Sequence, residues 1–409
     1  MKYDFDMEID RRNSYSLKWE FMHTGGKLAH TTRFLNENRV LPMWVADMDF
    51  VSPKPVVDAL TQRAQHGIYG YTAPTQSFYN SVIGWMERRH GWRVGRQWIC
   101  VTPGVVPALN MLVRAFASPG DRVLIQPPVY HPFYGAIENN GAEPALNPLI
   151  LENGRYGMDI TDLETKCKDP RVKLAVLCSP HNPVGRVWTR DELICFGEIC
   201  LDNDILVVSD EIHGDLIYRD NVFTPFASIS EVFSENSITC TSPSKTFNLA
   251  GLQTSCIIIP NPDLRSRFEK ILQRNGLFGL GAFGAVALQA AYDHGEEWLV
   301  QLLEYIKGNL EYLEAYVVRY IPQLTVIRPE GTYLVWLDCR GLGLDKRMLK
   351  KFMLEEAGVY LDAGFIFGPE GEGFERINIA CPRSILAEAL DRIREAVGRF
   401  SSDGARQAP

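Results

Sequence analysis

From about residue 50 to residue 290, short apolar runs rich in β-branched residues alternate with stretches whose apolar positions recur every three or four residues. The runs at 122–126, 173–178, 205–210, 237–241 and 254–260 predict strands. The stretches at 107–117 and 190–203 predict helices between them. Such alternation implies βαβ units and a mostly parallel sheet. Several of the runs are apolar throughout, as strands covered on both faces must be.

The pattern changes at Glu296. Leu299, Leu302, Leu303, Ile306, Leu310, Leu313 and Val317 fall at helical spacing and predict one long amphipathic helix stopped by Pro322. Beyond it, 325–328 and 331–338 read as strands of a smaller sheet, followed by helices near 346–357 and 384–400. The expected fold class is α/β: a large domain over 51–290 carrying the mostly parallel sheet, and a smaller α+β domain over 291–400. The N-terminal arm, 1–50, has no regular period and is expected to pack on the small domain or on a partner subunit. Residues 401–409 are expected to be a disordered tail.

Composition narrows the function class. The 409 residues exceed one typical core, and a hydrophobic fraction of 46% suffices for a large buried interior. A net charge of -8 gives no electrostatic attraction to nucleic acid or to an anionic membrane. No run approaches membrane-spanning length, and residues 1–20 lack the apolar stretch of a signal peptide. The nine cysteines include no Cys-x-x-Cys pair, so neither a metal site nor a disulfide framework is expected. A cytoplasmic protein acting on small molecules fits all of these.

In open α/β sheets ligands sit at the carboxyl ends of the strands. Tyr130 follows the run at 122–126, Asn182 the run at 173–178, Asp210 ends the run at 205–210 with His213 close behind, and Lys245 follows the run at 237–241. Singly each has a plain structural explanation: Asn182 before Pro183 can form a turn, Asp210 can cap the next element, Tyr130 can simply pack, and Lys245 can be a solvated charge. Together they form the set a pyridoxal phosphate site needs. Lys245 would hold the cofactor as a Schiff base, Asp210 would keep the ring nitrogen protonated, Asn182 would donate to the phenolic oxygen, and Tyr130 would stack on the ring. The backbone amides of Gly104, Val105 and Val106 at a predicted helix start, with the hydroxyls of Ser242 and Ser244, would take the phosphate.

The segments HNPVGRVW, SDEIH and SPSKTFNLAG resemble the signature blocks of fold-type I pyridoxal phosphate enzymes. With LPMWVADMDF at 41–50, YGYT at 69–72 and INIACPRS at 377–384, the chain resembles the cystathionine β-lyase branch of the class I/II aminotransferase superfamily, the MalY/PatB type. The resemblance implies the PLP-dependent transferase-like fold and a homodimer with active sites at the interface, where Tyr71 of one chain reaches the cofactor phosphate of the other. It implies that Arg383 binds the substrate carboxylate, with Asn182 and Ala46 completing the substrate site and His213 lying beside the cofactor. Two positions depart from the general aminotransferase pattern. Gln253 stands where an arginine eight residues after the lysine usually clamps the phosphate, and His213 stands where a tyrosine usually follows the ring-nitrogen aspartate. Both are like the β-lyase branch.

The expected activity is therefore carbon-sulfur β-elimination from cystathionine or another S-substituted cysteine, giving a thiol, pyruvate and ammonia. Lys245 would be the base at Cα, and Tyr130 or Lys245 would protonate the departing sulfur. Two other readings stand beside it: an aminotransferase using the same site, and a bifunctional regulator that binds a transcription factor.

Overall fold

The computed structural model describes residues 1–24, 27–37, 40–277 and 279–407. The chain divides into two compact units. One comprises Val51–Gln301 with Glu330–Thr332; the other comprises Met1–Phe50, Leu302–Pro329 and Tyr333–Pro409. The boundary falls within the long helix Glu296–Tyr320, later than residue 290, because the preceding helix Ala282–His294 packs on helices Lys54–Gln65 and Gln76–His90.

The larger unit is built on a seven-stranded sheet in the order Ile99–Thr102, Ser255–Ile258, Ser237–Thr241, Leu206–Asp210, Val172–Cys178, Arg122–Ile125, Glu143–Leu146. Only Ser255–Ile258 runs against its neighbours. Leu174, Ala175, Val176, Val207, Val208, Ile238 and Ile257 are all buried, so successive side chains on both faces are covered. One cover is the helix Val105–Phe116, whose Val105, Ala108, Leu109, Leu112 and Val113 form a stripe at helical spacing. That stripe joins Phe133, Ile137, Leu174 and Val176 in one core, where each fully buried Leu or Val contributes about 1.5–3 kcal/mol. Helix Arg190–Asp202 begins at a capping box between Thr189 and Glu192. Its Gly197 is required by packing: a Cβ there would lie 2.5 Å from the Phe233 ring.

The smaller unit centres on four strands in the order Thr325–Ile327, Leu334–Asp338, Phe374–Asn378, Asp362–Ala363, all antiparallel. The N-terminal segment is an integral part of it. Leu41–Pro42 pairs in parallel with Val359–Tyr360, and Met22, Leu35, Val40 and Trp44 form a small core with Tyr360. A buried Lys18 is bonded to Asp49 at 2.6 Å, and Arg11 bridges Asp47 and Asp49. The expected helix over 346–357 is α-helical to Lys351 and continues as a π-helical turn, Phe352–Glu356. The last helix, Arg383–Gln407, takes in residues 401–407 of the expected tail. Residues 408–409 of that expected tail lie outside the described residues. Among the described residues, no helix is long and apolar enough to cross a membrane.

Candidate active site

Six of the seven strands point the same way, so their carboxyl ends share one edge of the sheet. Just beyond that edge, in sheet order, come Gly104 after Thr102, Lys245 after Thr241, Asp210 with His213, Asn182 after Cys178, and Tyr130 after Ile125. These expected cofactor groups are thus brought to one side of the sheet by topology alone.

Lys245 lies on a short helical turn, Pro243–Thr246, that Ser242 caps through its side chain. The Ser242 hydroxyl donates to the Thr254 carbonyl at 2.8 Å and accepts from the Ser244 hydroxyl at 2.7 Å. Lys245 itself is half-buried. Asp210 is buried at the end of the neighbouring strand, and the Ile212 amide donates to its Oδ1 at 3.2 Å. Burial pushes its carboxyl up to about 7, while that N-H and the Lys245 charge pull the other way. His213 and Asn182 are also buried, and Tyr130 is half-buried, edge-on to Phe133. His181 ties two of the loops together, its Nε2 lying 3.0 Å from the Pro128 carbonyl. Burial lowers the His181 ring to about 4, so it is neutral there.

These residues fit pyridoxal phosphate. A desolvated carboxyl with one amide donor is completed by a cationic ring N-H, which would return it to the ionised form. Gly104 has φ 139°, a conformation that L side chains rarely adopt, and it starts a twelve-residue helix with no side chain capping the first amides. The amides of Val105 and Val106 at that start suit a phosphate.

The remaining expected site residues are Arg383, Ala46 and Tyr71. Tyr71 belongs to the larger unit and is fully exposed, as are most of Ile68 and Tyr69. Arg383 and Ala46 belong to the smaller unit. The Arg383 Nε donates to Asn309 Oδ1 at 2.7 Å, its guanidinium lies 4.8 Å from the Tyr312 ring centre, and its backbone amide donates to the Tyr305 hydroxyl. Among the described residues no carboxylate pairs with it. The backbone around Ala46 is held by its carbonyls: Arg376 donates to Trp44, Asn378 to both Val45 and Asp47, and Tyr333 to Ala46. Gln253 is exposed and takes a left-handed φ of 49° between the lysine turn and the antiparallel strand.

Sequence reasoning missed several supports. Thr246 bonds to Asp215, Asn309 orients Arg383, and Asn378 with Tyr333 fixes the Ala46 backbone. The nearest sequence signal was position, since Thr246 adjoins the lysine and Asp215 closely follows Asp210.

A family model described as aminotransferase class I and II matches residues 40–393. The chain is 46% identical over 394 residues to cystathionine beta-lyase PatB of Bacillus subtilis (strain 168), covering 96% of this chain and 100% of that one. It is 32% identical over 399 residues to protein MalY of Escherichia coli (strain K12), covering 97% and 99%. Among solved structures, cystalysin from Treponema denticola, which contains a pyridoxal 5'-phosphate cofactor, aligns with a TM-score of 0.92 at 38% identity, over 98% of this chain and 100% of that one.

Proposed function

The chain belongs to the aminotransferase class I and II family, and from that premise we propose that it is a pyridoxal-phosphate-dependent carbon-sulfur β-lyase acting on L-cystathionine or a related S-substituted cysteine. The observation that carries the reading is the row of Gly104, Lys245, Asp210, Asn182 and Tyr130 along one sheet edge, in a chain aligned end to end with a cystathionine beta-lyase.

When bound, pyridoxal phosphate supplies an electron sink for the negative charge that develops at the substrate Cα. The chain's own groups do the rest. Lys245 Nζ would hold the cofactor and would act as the base that takes the Cα proton. Asp210 would keep the proton on the ring nitrogen, Asn182 would donate to the phenolic oxygen, and Tyr130 and His213 would help hold the ring. The amides of Gly104, Val105 and Val106 and the hydroxyls of Ser242 and Ser244 would hold the phosphate. Arg383, preset by Asn309, would offer its two outer nitrogens to the substrate carboxylate. Tyr130 or Lys245 protonates the departing sulfur.

The exposed Ile68, Tyr69 and Tyr71 support a homodimer in which Tyr71 reaches the partner's phosphate site. A fully active monomer by light scattering would refute that assembly. Nine free cysteines, eight of them buried, support a cytoplasmic location.

Incubation with cystathionine and no keto acid tests the activity. A lyase releases pyruvate and thiol continuously, and Lys245→Ala abolishes the release. Product formation that stops after one equivalent per site marks a transaminase, and no visible absorbance after cofactor addition removes the enzyme reading altogether.

A further inference from the structure

The lysine turn also meets a buried polar cluster that the chemistry above does not use. Thr246, fully buried, donates its hydroxyl to Asp215 Oδ2 at 2.7 Å. Asp215 lies on the segment following Asp210. Its Oδ1 receives Trp85 Nε1 at 3.1 Å and lies 2.9 Å from His90 Nε2, while Arg89 donates to its backbone carbonyl. Burial would raise this carboxyl, but the bonds from His90 and Thr246 and the Arg89 charge hold it below the usual range, so it is an anion. The titratable and charged groups facing it are His90 and Arg89 from helix Gln76–His90 and Tyr292 from helix Ala282–His294.

The next residue is clamped as well. Phe247 is fully buried, edge-on to Trp85 and close to Trp298, and Trp85 stacks on Tyr292 with ring centres 5.2 Å apart. Gly295 leaves room for it, since a Cβ there would lie 2.6 Å from the Phe247 ring. A rotation of the Pro243–Thr246 turn would therefore break a bond to a buried anion and pull an aromatic ring from a closed cage. Neither contact touches a reacting atom, yet both adjoin the residue whose amine must reach two positions in turn.

We propose that Asp215, held by His90 and Trp85, is a positioning residue that aims Lys245 through the Thr246 hydroxyl. The proposal rests on the β-lyase reading of the same site. Thr246→Val keeps the side-chain shape and removes the donor; Thr246→Ser keeps the donor. A misaimed base costs turnover more than substrate binding. In the cofactor-loaded protein, Thr246→Val is expected to lower kcat by about tenfold to a hundredfold with KM within about threefold of wild type. It should also move the pH midpoint of the bound cofactor's visible absorbance. Thr246→Ser should recover most of both. Melting of the cofactor-free proteins supplies the contrast, because a merely structural bond lowers the midpoint and leaves kcat and the absorbance titration unchanged.

That last pattern would overturn the proposal. Where Thr246→Val fails to fold, Asp215→Asn, which keeps the volume but not the charge, is measured in the same way. Wild-type kcat together with an unmoved absorbance midpoint in that variant also overturns it. The β-lyase reading fails separately, through wild-type protein that releases no thiol from cystathionine.

Discussion

Replacing Asp210 by asparagine should have opposite effects in the two forms of the protein. In the cofactor-free form the folded carboxyl sits at about 7 against an ordinary value of 3.8, because burial disfavours the charged form. This difference corresponds to about 4 kcal/mol, as an order of magnitude. The folded value is raised, so the stabilising contribution is fully present below the unfolded value. It is lost progressively as pH rises from 3.8 to about 7 and does not change further above that. Asp210→Asn removes the charge, keeps the volume, and retains an oxygen for the Ile212 amide. At a pH of about 8.5 the stripped variant should be more stable than wild type by up to about 4 kcal/mol, and at about 5.5 by roughly half as much. At this chain length 1 kcal/mol moves a melting midpoint by roughly 1 °C, so the gap should widen by roughly 2 °C between the two pH values. Loaded with cofactor and given cystathionine, the same variant should lose about a hundredfold or more in kcat, since a neutral amide cannot keep the ring nitrogen protonated. Thermal melts of stripped protein and a pyruvate assay of loaded protein measure both halves. A stripped variant no more stable than wild type at the higher pH would refute the desolvation argument, and undiminished turnover would refute the role at the ring nitrogen.

Two further outcomes follow from the smaller unit. Arg383→Lys replaces a planar fork oriented by Asn309 with a single charged point, and should lower kcat/KM by about tenfold to a hundredfold in steady-state kinetics while leaving the melting midpoint near wild type. Lys18→Met strands the buried Asp49 carboxylate, although Arg11 remains on its other oxygen. A destabilisation of about 3–5 kcal/mol is expected in urea melts monitored on the smaller unit's tryptophans, and an unchanged midpoint would contradict it.

The parts legible in the sequence were those carried by short-range period. The strands Val172–Cys178 and Leu206–Asp210 were readable because burial on both faces demands unbroken apolar runs, and the polar residues at their ends then marked the working edge. The N-terminal arm shows no period because its helices, such as Leu17–Glu20, are too short to carry one. Its order comes from Lys18 meeting Asp49 and from Leu41–Pro42 pairing with Val359–Tyr360. The braces of the site were hidden for a similar reason. His90 and Asp215, or Asn309 and Arg383, meet only once the chain has folded, and a single polar residue in an apolar stretch gives no sign of its eventual partner.

The antiparallel strand Ser255–Ile258 joins the sheet directly beside Ser237–Thr241. The segment carrying Lys245 is consequently a return connection between two adjacent strands, with Ser242 latched to Thr254 across its base. The underlying ladder is then expected to stay paired whether the cofactor is loaded or stripped. The amide protons of Thr239, Cys240, Cys256 and Ile257 should exchange with solvent at the same slow rate in both forms, and the change in protection should be confined to the loops beyond the sheet edge.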